Sequence, residues 1–276
     1  MKVLPAIDPV RAKSMNTAEL REAFLSEDLF QPESIKLIYS ENDRAIIGGA
    51  IPLKEKLLLR ASKELAANYF AERRELGVLN LGGGGQINVE GKLFNLANRD
   101  MLYIGKGAQE IVFTSDKNAE PAAFFILSFP AHQSYPAQLM RFAEAEAVQL
   151  GSPESANQRT IYKYIHPGGI QSCQLVMGFT QLKSSSIWNT MPPHTHGRRM
   201  EVYMYFDVPE NARVFHFMGK PEETRHLVVA NRQAVISPSW SIHSGAGTGA
   251  YSFCWGMGGE NQAFEDMDVV RLEQLR

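Results

Sequence analysis

Helical spacing is confined to the early part of this chain. Asn16 followed three residues later by Glu19 makes a capping box, and Leu20, Ala23 and Phe24 fall on one face after it. A second stretch, 62–75, carries Leu65, Ala66, Tyr69 and Phe70 as a stripe among Lys and Arg, which predicts another amphipathic helix. Most of the remainder consists of short apolar runs cut by turn residues, the pattern of β-strands. Such runs fall at 110–114, 122–129, 160–165, 173–180, 201–208, 212–218, 226–229, 234–236 and 251–256. A further hairpin is expected over 87–94, turning at Glu90-Gly91.

Many short strands and few helices predict an all-β fold of the sandwich or barrel kind. The segment Gly151 to Asn157, with Ser, Pro and Glu between, is the best boundary. It divides the chain into 1–151 and 152–276, each rich in strand signals, as two β-barrels in tandem with a few flanking helices would require.

Composition narrows the function classes. Twenty-eight Lys and Arg against 30 Asp and Glu give a formal net charge of -2, which offers no footprint for nucleic acid or an anionic membrane. The most apolar stretch, 122–131, is too short to span a bilayer. Lys2, Asp8 and Arg11 interrupt the N-terminal apolar residues, so no secretory leader is expected and a cytoplasmic setting is. The two cysteines, Cys173 and Cys254, stand in no metal or redox spacing and are expected as free thiols.

The chemistry concentrates in Pro193-His194-Thr195-His196-Gly197-Arg198-Arg199-Met200-Glu201. On a strand His194 and His196 project to the same side. Glu201 has the wrong parity for that strand, so Gly197 and the arginines are expected to turn the chain and let Glu201 open the next one. There Glu201, Tyr203 and Tyr205 share one face, and Val202, Met204 and Phe206 the other. The fourth donor is His243, at the end of Pro238-Ser-Trp-Ser-Ile-His, read as a short strand ending on the histidine; His216 and His226 are alternatives to it. Three imidazoles and a carboxylate suit Zn²⁺, Fe²⁺, Mn²⁺ or Ni²⁺. The glycines 82–85 lack the Lys-Ser/Thr of a phosphate loop and read as a turn.

The His-x-His with its downstream glutamate resembles the first cupin motif, although the glycine usual before the first histidine is absent, and Pro238 to His243 resembles the second. The strings Phe70-Ala-Glu-Arg-Arg-Glu-Leu-Gly, Trp188-Asn-Thr-Met-Pro-Pro-His-Thr-His, Arg199-Met-Glu-Val-Tyr and Glu223-Thr-Arg-His are similar to the 5-keto-4-deoxyuronate isomerase family of bacterial pectin breakdown. So are Ala234-Val-Ile-Ser-Pro-Ser-Trp-Ser-Ile-His-Ser-Gly and Trp255-Gly-Met-Gly-Gly-Glu-Asn-Gln.

The resemblance implies a bicupin: a degenerate N-terminal barrel and a C-terminal barrel holding one zinc ion on His194, His196, Glu201 and His243. It implies interconversion of 5-dehydro-4-deoxy-D-glucuronate and 3-deoxy-D-glycero-2,5-hexodiulosonate, and a homo-oligomer, often a hexamer. Isomerisation through an enediol needs a Lewis acid and a proton carrier. Glu260, Lys163 and Tyr203 are the candidate carriers, and Arg198 and Arg199 the candidate anchors for the ketouronate carboxylate. Two other readings share the ligand set: a cupin dioxygenase, and a non-catalytic sugar-binding cupin.

Overall fold

The computed structural model describes residues 1–263 and 265–276. The chain is mostly β-sheet with few and short helices. Among the described residues no helix is long and apolar enough to cross a membrane.

The chain divides into two compact units, each discontinuous in sequence. The first comprises 1–4, 28–146 and 163–177; the second comprises 5–27, 147–162 and 178–276. The first unit holds a seven-stranded sheet in the order Lys2–Leu4, Ser34–Ser40, Ile46–Ile51, Phe124–Pro130, Arg74–Asn80, Met101–Ile104, Gln138–Met140. A four-stranded sheet (Leu57–Leu58, Ile111–Ser115, Gly85–Val89, Lys92–Leu96) belongs to the same unit. Alternation supplies its core: Leu76 and Val78 pack in one cluster with Ile87, Val89, Phe94 and Phe113.

The strand order recurs later in the chain. A second seven-stranded sheet runs Glu146–Leu150, Arg159–Ile165, Val176–Leu182, Ser252–Gly259, Arg199–Phe206, Ala234–Ser237, Leu25–Ser26, and a second four-stranded sheet runs Trp188–Asn189, Ser244–Gly247, Val214–Lys220, Glu223–Val229. The long central pair is antiparallel, with Glu201 opposite Met257 and Tyr203 opposite Trp255.

The Asn16 capping box is present and starts the helix Thr17–Phe24, which buries Leu20 and Phe24. The expected hairpin is also present. Glu90 and Gly91 both have positive φ (51° and 85°), the mirror-image turn that matches strand twist. The predicted helix over 62–75 is not. That stretch contains a single 3-10 turn, Lys63–Leu65, ended by Ala66 in the left-handed region, and Arg74 already belongs to a strand. Local side chains take the place of helical bonds: Arg73 Nη2 donates to the carbonyls of Leu65 and Ala66, and the Asn68 amide donates to Glu72. Phe70, one of the four stripe residues, and its neighbour Ala71 are core residues of an irregular segment. Both cysteines are free, Cys254 buried and Cys173 half-buried.

One buried carboxylate organises the first unit. Glu75 is fully buried and accepts from the amides of Cys173, Gln174 and Leu175 (2.7–2.8 Å) and from the hydroxyl of Tyr103 at 2.7 Å. Burial raises the Tyr103 pKa, followed by the charge of Glu75, so the hydroxyl stays a donor. Glu75→Ala strands three amide donors, and its expected cost is about 3 kcal/mol or more. Tyr103→Phe removes one of the four partners and is expected to cost about 1 kcal/mol. Urea unfolding followed by fluorescence measures both.

Candidate metal centre and its cavity

His194 lies on the two-residue strand His194–Thr195, which pairs with Asp268–Val269. The chain then turns through Gly197 and enters the strand Arg199–Phe206, two residues before Glu201. His243 does not close a strand as expected. The strand Ala234–Ser237 ends first, a turn closed by the Ser241 amide to the Pro238 carbonyl follows, and His243 stands immediately before Ser244–Gly247. The proline therefore forms the turn that aims the histidine.

These four side chains converge. Their ligand atoms all lie within 4.8 Å of one another. His194 Nε2 is 3.1 Å from His196 Nε2 and 2.9 Å from His243 Nε2, and Glu201 Oε2 is 2.8 Å from His243 Nε2 and 3.3 Å from His196 Nε2. His196, Glu201 and His243 are buried and His194 partly so. His196 Nδ1 donates to the carbonyl of Asp266 at 2.6 Å, which leaves Nε2 with a lone pair facing the cluster.

The donor set fits a divalent cation. Two ligands each about 2.0–2.1 Å from one ion sit about 2.9–3.4 Å apart at ordinary coordination angles, the range of these separations. Glu201 Oε2 is buried without a hydrogen bond to satisfy it. A bare carboxylate oxygen among imidazole lone pairs is costly unless a cation is shared.

The protonation pattern agrees. Burial pushes His194 down to about 3, with the charge of His243 adding to it. Burial alone would raise Glu201, but His243 and His196 hold it below the usual carboxylate range. Burial also pushes His216 down to about 3; its Nδ1 lies 2.7 Å from Tyr205 Oη, away from the four-donor cluster. His226 is exposed and packs against Phe215.

His194, His196 and Glu201 of the cluster form part of the lining of a cavity of about 290 Å³. Alternate residues of neighbouring strands supply the lining: Arg159 and Ile161, Thr180, then Phe253, Trp255 and Met257, then Arg199, Glu201 and Tyr203. Trp255 is seated by a close approach. A Cβ on Gly178 would lie 2.5 Å from its ring, and its Nε1 donates to Thr180 Oγ1 at 3.1 Å. Tyr203 Oη and Thr190 Oγ1 share a hydrogen bond at 3.0 Å, and burial raises the Tyr203 pKa well above its ordinary value.

The remaining residues singled out from sequence fall as follows. Arg199 lines the cavity, with Nη1 donating to Ala263 O (2.7 Å) and Nη2 to Asp266 O (3.3 Å). Arg198 is outside the lining and grips the Asp266 carboxylate through Nε, at 2.9 Å to both oxygens, and Nη2. Lys163 pairs with Glu146 at 3.0 Å, and the exposed Glu260 gives its amide to Arg198 O; neither lines the cavity. Three residues escaped notice in the sequence: Arg159, Thr190 and Asp266. Asp266 sits in an acidic stretch that reads as solvated surface, yet it holds His196, Arg198 and Arg199 together.

Fold and site together define a protein of cupin-like fold with a three-histidine, one-glutamate group that could hold a metal ion. The chain belongs to the KduI/IolB family, whose model matches residues 26–273. It is 55% identical over 276 residues to the 4-deoxy-L-threo-5-hexosulose-uronate ketol-isomerase of Lachnoclostridium phytofermentans, covering 100% of both chains. It is 51% identical over 278 residues to the enzyme of the same name from Enterobacter sp. (strain 638), again covering 100% of each. Among solved structures, an IolB-like protein from Salmonella typhimurium matches with a TM-score of 0.71 at 14% identity, over 90% of this chain and 96% of that one. An oxalate decarboxylase from Bacillus subtilis matches at 0.55 and 9% identity, over 79% and 70%. These two likenesses show the fold.

A pH dependence follows for the metal-free protein. In the unfolded chain a histidine titrates near 6.5, and in the fold His194 and His216 titrate at about 3, so the folded state binds fewer protons in between. Their contribution to stability is full above about pH 6.5 and is lost as pH falls towards 3; Glu201, also lowered, acts in the same direction from about pH 4.5 downward. The urea midpoint of chelated protein is expected to fall from pH 7 to pH 4, and His194→Gln to flatten that fall.

Proposed function

We propose that this protein is a divalent-metal ketol isomerase of uronate degradation, converting 5-dehydro-4-deoxy-D-glucuronate into 3-deoxy-D-glycero-2,5-hexodiulosonate. The observation that carries the reading is the convergence of His194, His196, Glu201 and His243, the first three of which line a cavity near the small end of the size range for ligand pockets. Full-length relatives named for this isomerisation support it. In this reading the four converging side chains are the ligands and zinc is the native ion, since mixed imidazole and carboxylate donors suit it. The two pairs of sheets are read as two cupin-type barrels, with the metal in the second.

The reaction moves one hydrogen between adjacent carbons, one bearing a hydroxyl and the other the aldehyde. A divalent ion, when bound, polarises these oxygens as a Lewis acid. The chain's own residues supply a hydrogen-bond donor and a water-excluding wall. Tyr203 keeps its proton because burial disfavours the phenolate, so its hydroxyl is a fixed donor for an oxygen on which charge develops. Thr190 holds that hydroxyl in place. Phe253, Trp255, Met257, Met191 and Ile161 line the cavity with apolar surface and exclude water from an enediol.

The test is turnover of the uronate by purified protein before and after chelation. Loss of activity when the metal is removed, and recovery on adding zinc, is the expected outcome; unchanged turnover after verified removal would assign the metal a structural role. Tyr203→Phe is expected to lower kcat about 100-fold with metal content unchanged, measured by steady-state kinetics alongside elemental analysis.

A further inference from the structure

The cavity contains two cations, and they differ in what already engages them. Arg199 is buried, gives two donors to the carbonyls of Ala263 and Asp266, and feels the charge of Glu201 first among its neighbours. Arg159 is half-buried, and its Nη1 donates to the carbonyl of Asn157 at 2.9 Å. Among the described residues no carboxylate pairs with it. Its nearest electrostatic neighbours are the hydroxyls of Tyr203 and Tyr251. A guanidinium set into a mostly apolar wall without an acid is desolvated for little return, unless an anion arrives to meet it.

Its place in the sheet says which part of a substrate it would meet. Arg159 opens the strand Arg159–Ile165, and Glu201 lies on Arg199–Phe206, with Val176–Leu182 and Ser252–Gly259 between them. Three strand intervals separate the two backbones by about 14 Å along the sheet. Both residues line the same cavity. An aldehydo-uronate has the same polarity: its reacting carbons are at one end of a six-carbon chain and its carboxylate is at the other. A guanidinium fork matches a carboxylate with two parallel hydrogen bonds.

Resting on the isomerase reading above, we propose that Arg159 is the residue that recognises the substrate carboxylate and thereby orients the opposite end of the chain towards the four-donor cluster. Arg198 and Arg199, the anchors expected from sequence, engage Asp266 and, for Arg199, the carbonyl of Ala263. Arg159 is a specificity residue: it selects acids over neutral sugars and leaves the reacting carbons untouched.

The experiment compares wild type, Arg159→Gln and Arg159→Lys on the uronate and on its neutral carboxamide analogue. Arg159→Gln is expected to raise KM for the uronate about 10- to 100-fold, the worth of a charge-assisted pair, with kcat within a few-fold. The same variant should leave KM for the carboxamide close to that of wild type. Arg159→Lys keeps the charge without the fork and should fall between. Equal losses on acid and amide, or an unchanged KM for the acid, would overturn the proposal. A calorimetric titration with D-glucuronate and D-glucose keeps the two readings apart. If wild type turns over no uronate, the isomerase reading fails. Arg159 is still judged by whether Arg159→Gln abolishes a preference for glucuronate over glucose, and a preference that survives in the variant sinks it. Unchanged zinc content and melting temperature confirm that the variants fold.

Discussion

Four lone-pair donors within 4.8 Å of one another make the arrangement on which the second unit depends. The nitrogens of His194, His196 and His243 face each other, and the Glu201 oxygen among them has no hydrogen bond of its own. Such a cluster would relax apart on a flexible loop. It persists here because each member is fixed from behind. Glu201 sits mid-sheet between strands on both sides. His196 is fixed through Asp266, and His243 by a turn closed on Pro238. The stability given up by holding these groups together is recoverable when a cation is shared among them.

The same supports shape the cavity. Asp266 accepts from His196 and Arg199 through its carbonyl and from Arg198 and Asn261 through its carboxylate. Asp266, Asp268 and Val269 thus hold the chain beside the His-x-His stretch, and Met267 and Val269 become cavity wall. Position 178 must be glycine-sized for Trp255 to lie flat across the neighbouring strand. Ligand positions and cavity shape are consequences of one packing arrangement, so changes at Asp266 or Gly178 act on both.

The ligand spacing was legible in the sequence because it depends only on strand period and on a glycine-assisted turn. His194, His196, Glu201 and His243 come together as that logic expects, although His243 arrives from a turn. The inward face Glu201, Tyr203, Tyr205 was readable for the same reason: Tyr203 lines the cavity and Tyr205 meets His216 beneath it. The predicted helix at 62–75 failed because its stripe was compatible with core burial from irregular chain. Side chains of Glu72 and Arg73 satisfied the backbone locally, which periodicity does not register. The strands Ser34–Ser40 and Ile46–Ile51 were passed over as well, although the second is buried throughout. Arg159 was invisible for a different reason. Its significance lies in the lack, among the described residues, of a carboxylate paired with it, a property of the fold that no residue spacing carries.

Strand order recurs in the two large sheets, and comparison of their corresponding strands shows where function was placed. A double arginine precedes the inward row in each: Arg73-Arg74 before Leu76 and Val78, Arg198-Arg199 before Glu201 and Tyr203. In the first unit that row joins an apolar cluster with Ile87, Val89 and Phe113, and closes without polar cost. In the second it faces a cavity, and the unit retains buried side-chain atoms without partners at Asn189, Arg199, Glu201 and His216; among the described residues the first unit has only Ser62 of this kind. Buried polar atoms left unpaired are costly, so their concentration in one of two similarly ordered sheet pairs calls for a compensating ligand there. The apolar row of the first unit can serve only as core. The polar row of the second is a poor core, and that is the physical ground for placing the chemistry in it.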